Sequence, residues 1–188
     1  MSKQIHTIIK SLLLLFAATA LLSSCSKNAP RKLNGEYHYR LGGTVTTQTT
    51  DGANSTQEII VEYQYGTMKI ISTDSRNNTL YISMSSALRG AFSNFTATEK
   101  DGIITFTDAE IQVNTHLPGE TSSSAVSKNT TKLCVDGVGK RYGDELLFDF
   151  TAKGTITTKI PDPETDTDVI TDLKVIGSSI KCEASKNE

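Results

Sequence analysis

The chain has 188 residues, 19 Lys and Arg against 21 Asp and Glu, 37% hydrophobic residues, no Trp and 6% aromatics. Residues 1–24 contain Lys3 and Lys10 and no acids, so the remainder carries 17 basic and 21 acidic side chains, a formal charge of −4. That balance excludes a nucleic-acid-binding surface of the usual basic kind, and the length left after residue 24 suits one domain with a real core.

The first element is an address. Lys3, His6 and Lys10 precede the short apolar run Ser11–Leu22, and the small residues Ser23 and Ser24 follow. This is the layout of a secretory signal, and the run is too short for the roughly 20 apolar residues of a membrane span. The run ends Leu22-Ser23-Ser24-Cys25, which resembles the lipobox of bacterial lipoproteins. The resemblance implies cleavage between Ser24 and Cys25, diacylglycerol on the Cys25 thiol, and an acylated amino group. Several palmitate-like chains, at about 0.8 kcal/mol per buried methylene, hold a protein on a bilayer essentially permanently. Ser26, rather than an aspartate, goes with outer-membrane delivery in the enteric members of that family. Lys27, Arg31 and Lys32 stand where surface-exposed lipoproteins of Bacteroidetes type often carry acids, so the periplasmic and cell-surface faces both stay open. The expected organisation is a signal peptide at 1–24, a lipidated tether at 25–32, one domain at 33–182 and a disordered tail at 183–188.

From residue 33 onward period-two alternation recurs. Ile59, Val61, Tyr63 and Tyr65 share one parity against Glu62 and Gln64; Leu80, Ile82 and Met84 alternate with Tyr81, Ser83 and Ser85; Leu146, Phe148 and Phe150 alternate with Leu147, Asp149 and Thr151; Leu173 and Val175 stand opposite Asp172 and Lys174. Turn signals interrupt at Asp51-Gly52, Arg76-Asn77-Asn78, Asp101-Gly102, Tyr142-Gly143-Asp144 and around Pro161 and Pro163. The pattern predicts strands at 35–49, 57–65, 67–74, 79–85, 93–99, 103–114, 131–140, 145–158 and 168–180, with one helical turn within Ser85–Phe92 and a mobile Ser/Thr-rich loop at 119–130. The predicted fold is all-β, a single antiparallel up-and-down barrel or barrel-like sandwich of about eight to nine strands. If Asp51–Ser55 is the first hairpin tip, residue 49 faces 57 and residue 41 faces 65. Residues 35–40 then lack a partner, and the last strand supplies one by closing the sheet.

The opening Leu33-Asn34-Gly35-Glu36-Tyr37 and the late segment Val138-Gly139-Lys140-Arg141-Tyr142-Gly143-Asp144-Glu145-Leu146 resemble the calycin or lipocalin-like lipoproteins of Bacteroidetes. Lipocalins proper open with Gly-x-Trp, and here Tyr37 stands where Trp would be. The resemblance implies an up-and-down barrel with a cavity for a small apolar or glycan-like molecule.

No nucleophile elbow, HExxH, P-loop or CxxC occurs, and after residue 24 the only histidines are His38 and His116, so the reading is a non-enzymatic protein with no cofactor. His38 reads as a solvent-facing strand residue. Asp162, Glu164, Asp166 and Asp168 alternate like the oxygen ligands of a calcium loop, but the turn glycine and terminal glutamate are missing, so a solvated acidic hairpin is the preferred reading. Tyr37, Tyr39, Tyr63 and Tyr65 combine a flat apolar ring with a polar tip and are the candidate ligand-binding residues, with ordinary core packing as the competing role. If Tyr63 and Tyr65 face inward with Ile59 and Val61, they place phenols at a barrel mouth near Gly66. Cys134 and Cys182 are expected to stay unpaired, because in a meander their strands run parallel with one strand between. The partners expected are a membrane, held through the Cys25 lipid, and either a small-molecule ligand or an envelope protein; the rival to a cavity binder is an accessory interaction subunit without one.

Overall fold

The computed structural model describes residues 33–49, 55–74, 78–87, 92–119, 129–161 and 168–187. Alternation becomes nine strands in these residues: β1 (Gly35–Thr49), β2 (Thr56–Asp74), β3 (Thr79–Ser86), β4 (Phe92–Lys100), β5 (Ile103–His116), β6 (Asn129–Tyr142), β7 (Glu145–Lys153), β8 (Thr155–Pro161) and β9 (Asp168–Lys186). No described helix is long and apolar enough to cross a membrane. The strands form one antiparallel sheet in the order β1-β2-β3-β4-β5-β6-β7-β9-β8, and pairing of β1 with β9 closes eight of them into a ring. The predicted barrel-like, all-β fold is the observed one.

The ring departs from a regular barrel in two places. β3 and β4 are short, and beyond their ends β2 and β5 pair directly at Ile60↔His116 and Val61↔Thr115, which pinches the ring. β8 continues the line of β7 after Gly154, whose φ is +82°, and pairs with the first part of β9. The expected strand 145–158 is therefore two strands hinged at a glycine.

Two sequence expectations are corrected here. Strands 57–65 and 67–74 are one strand, β2, because Gly66 does not break it: a Cβ there would run into the Ser85 carbonyl, so glycine permits close approach of β3. Residues 35–40 consequently do have a partner in β2, through Gly35↔Ile70 to Arg40↔Tyr65. Closure by the last strand occurs, but the reason given for it from the first hairpin does not hold. Second, β9 runs to Lys186, so Glu183 to Lys186, expected in a disordered tail, pair with β1, and Glu183, Ala184 and Ser185 also pair with β7. The inward alternation of Ile180, Cys182 and Ala184 carries the strand onward. Ser85 and Ser86 belong to β3 and Phe92 to β4; the rest of the helical turn expected there, at 88–91, and residues 120–128 of the expected mobile loop lie outside the described residues.

The interior is filled by residues from every strand. Phe95 and Phe106 pack at a tilt of 43° with ring centroids 4.6 Å apart, and Phe106 meets Phe150 at 5.3 Å. The Phe106 and Phe148 rings occupy the spaces where side chains at Gly137 and Gly139 would stand, so the two glycines of β6 are seats for aromatic rings. At the base, the buried Tyr37 hydroxyl donates to the Leu33 carbonyl at 2.9 Å, and the Ser72 amide donates to Asn34 Oδ1 at 2.7 Å. The Leu33–Tyr37 opening thus folds onto the core.

β6 and β9 flank β7, as the meander required. Cys134 faces Lys153 and Cys182 faces Phe148 across the ladders, five positions apart along β7 or about 17 Å. Cys134 is exposed, Cys182 is buried, and both thiols are free; burial pushes the Cys182 thiol pKa up.

Candidate functional site

A single bulge decides which tyrosines face out. Leu41 pairs with Gln64 and Gly43 with Val61, so Gly42 alone stands against the two residues Glu62 and Tyr63. The extra residue reverses the parity of β2. Ile59 and Val61 point inward before it; Gln64, Met68 and Ile70 point inward after it. Tyr63 and Tyr65 therefore lie on the outer face, 66% and 54% exposed, and not at an interior mouth. Gln64 takes the inward position at 2% exposure, and its Nε2 has no hydrogen-bond partner among the described residues. The other two candidates are core residues. Tyr37 is spent on the Leu33 carbonyl, and Tyr39, beside Cys182 and hydrogen-bonded to Ser86, has its pKa pushed up to about 12 chiefly by burial. The structure separates the four candidates into an inner pair and an outer pair.

Around the outer pair the ladders align side chains from four strands. Arg40 faces Tyr65 across β1–β2 and Glu183 across β1–β9, and Leu147 of β7 faces Glu183. Two positions along, His38, Ser185 and Glu145 form a parallel row. These rows bound a groove of about 540 Å³, and the exposed His38, which sequence reasoning left to solvent, lines it. Beyond Arg40 and Glu183 lies a second groove of about 250 Å³, walled by Tyr63 and Lys181 over Gly42 and Gly43. The Arg40 guanidinium bonds Glu183 Oε2 at 3.0 Å and stands 5.6 Å from the Tyr63 ring centroid, a cation–π distance. Tyr63 lies across Gly42, where a Cβ would come 2.7 Å from the ring. A flat floor, two aromatic walls and a shared ion pair result.

A third groove, about 610 Å³, opens on the far side between β5, β6 and β8. It is polar, and its charges answer one another: Lys132 binds Glu110 at 2.9 Å, and Lys153 binds Asp108 at 2.7 Å and Asp136 at 2.6 Å. Hydrogen bonds from Lys153 and from the Asp108 amide hold the Asp136 carboxyl below its ordinary range. These contacts staple the β5 bulge, where Asp108 has φ +52°. Lacking an aromatic wall, this groove is the poorer ligand site despite its size.

Among the described residues no group of three or more His, Cys, Asp or Glu is placed to hold a metal ion. Asp162, Glu164 and Asp166 lie outside the described residues, as do Ser24 and Cys25, and Asp168 is described only as a backbone position that opens β9. Arg40, Glu183, Glu145 and Leu147 were not picked out in the sequence. The signals were present: Gly42-Gly43 inside a strand marks a bulge, and Leu147 puts an apolar residue on the polar parity of β7.

No known protein family, curated protein or solved structure matches the chain.

Proposed function

We propose that this chain is a lipid-anchored, non-enzymatic accessory domain of the outer membrane, which engages an envelope component through the outer face of its sheet and has no ligand cavity of lipocalin type. The observation that carries this reading is the bulge at Glu62–Tyr63. It turns outward the tyrosines that a barrel-mouth site needs, while Phe106 and Phe148 fill the interior over Gly137 and Gly139. Exposed aromatics beside a preformed groove on paired strands are the ordinary make-up of a recognition surface. The Leu22–Cys25 box supplies the anchor in this reading.

Two measurements test it. Cys25→Ala removes the lipid and is expected to move the protein from the membrane to the soluble fraction; persistence in washed membranes breaks the anchor reading. A lipid-free form that begins after Cys25 is expected to bind saturably to outer membranes from cells lacking the protein and to be released by washing, with Arg40→Ala and Tyr65→Ala weakening the binding and Lys132→Ala, on the opposite groove, leaving it intact. A stoichiometric small molecule in the native mass spectrum of protein taken from its own membranes, together with unchanged binding by the Arg40 and Tyr65 variants, would restore the cavity reading.

A further inference from the structure

The two outer grooves share a wall. Arg40 and Glu183 line both, with Tyr65 closing one and Tyr63 the other. Tyr63 and Tyr65 are two positions apart on one strand, so their Cα atoms stand about 7 Å apart. The site is thus two adjacent open grooves, each with an aromatic side, bridged by one ion pair that lines both.

Its chemistry narrows the occupant. The charges of the two grooves balance: Arg40 and Lys181 against Glu183 and Glu145. A strongly anionic or cationic ligand therefore gains no net attraction there. The floor strands β1 and β9 are paired on both sides, as is β7 where it lines the groove. Among the described residues β1, β7 and β9 thus offer the groove no free edge for the backbone of an extended peptide, which is what peptide recognition by a sheet requires. What is offered is side chains alone: two flat rings, a guanidinium, carboxylates, an imidazole and a hydroxyl. Such a set suits a ring with apolar C–H faces and a rim of hydroxyls.

We infer that the paired grooves bind two successive rings of an uncharged linear glycan, one against Tyr65 and one against Tyr63, with the Arg40–Glu183 pair hydrogen-bonding the hydroxyls between them. This rests on the outer-face reading above and names its ligand. Location agrees with it. From Cys25 to Arg40 is fifteen residues, at most about 50 Å of chain, so a lipid on Cys25 keeps the groove within that distance of the bilayer, where membrane-attached glycans lie.

The test is a printed array of linear gluco-, manno-, galacto- and xylo-configured oligosaccharides of one to six rings, with uronic-acid counterparts, probed with the full mature protein in detergent. Binding to at least one neutral series is expected, rising about tenfold or more from one ring to two or three and levelling beyond. Tyr63→Ala and Tyr65→Ala should each weaken it about fivefold or more at unchanged melting temperature, while Tyr63→Phe and Tyr65→Phe retain it. A blank array, binding indifferent to chain length, or binding unmoved by both alanine variants overturns the inference. If the array is blank but membrane binding still falls with Arg40→Ala and Tyr65→Ala, the glycan is wrong and the outer-face reading stands. If neither assay responds to the groove variants, both fall.

Discussion

The two halves of β2 each alternate in sequence, and they turn opposite parities inward. Up to Val61 the odd residues point inward; from Gln64 the even ones do, and the change takes place at Glu62 and Tyr63 opposite Gly42. Burial by itself does not fix a strand's phase over 19 residues. One inserted residue costs a ladder position and reassigns every side chain beyond it. Here it converts two tyrosines from filling into surface and brings a glutamine inside.

The contrast between inner and outer positions can be broken deliberately. The largest effect belongs inside. Phe148→Ala is expected to cost about 3–5 kcal/mol, because its ring fills the space over Gly139; chemical denaturation measures it, and a loss under about 1 kcal/mol would mean the interior is looser than described. Gly66→Ala follows at about 1–3 kcal/mol, since its Cβ meets the Ser85 backbone and β3 has to move. If Gly66 merely broke the strand, as the sequence suggested, the variant would be neutral or stabilising.

Third comes a pH effect of the inner tyrosines. Tyr39 keeps its proton to about pH 12 when folded and loses it near 10 when unfolded. Its folded pKa is the higher, so its contribution to stability is constant below pH 10 and is lost as pH rises from 10 towards 12. A melting-temperature series should show this decline, and Tyr39→Phe should lessen it, the remainder belonging to Tyr37, whose pKa burial also raises. Gln64→Leu is expected to stabilise by about 1 kcal/mol, because it removes a buried amide nitrogen without a described partner. A loss instead would place a partner on that nitrogen. Smallest is Tyr65→Ala, within about 0.5 kcal/mol, as for an outer side chain. A loss of several kcal/mol would return Tyr65 to the core and undo the description of β2.

Much of the fold was legible because alternation is a direct image of a two-sided sheet. The parity of Leu80, Ile82 and Met84, and of Leu146, Phe148 and Phe150, is the observed one, and β1 spans the residues expected of it. What was hidden lay at single residues. Gly66 and Gly154 look alike in sequence, yet one admits a neighbouring backbone and the other turns the chain with φ +82°. Tyr63 and Tyr65 continue the apolar parity of Ile59 and Val61, so the reversal was signalled only beyond them, by Met68 and Ile70 on the even parity, and on another strand by the Gly42-Gly43 pair. The site is assembled from β1, β2, β7 and β9, and its Arg40–Glu183 contact joins residues 143 apart in sequence. Such pairs are fixed by register, which follows from closure of the ring and not from any local pattern.

The placement of β1 also has a mechanical side. From Tyr37 to Gln48 it is laddered to β2 on one edge and to β9 on the other, and both neighbours run antiparallel to it. Tension entering at Leu33, where a tether to the bilayer would pull, acts along the strand axis. To yield, β1 would have to slide lengthwise between two rows of hydrogen bonds that share the load together, with Tyr37 drawn out of the core at the same moment. A domain tethered by this strand resists tugging in shear, and would be far easier to unzip if held by β8, which has a paired neighbour on one edge alone among the described residues.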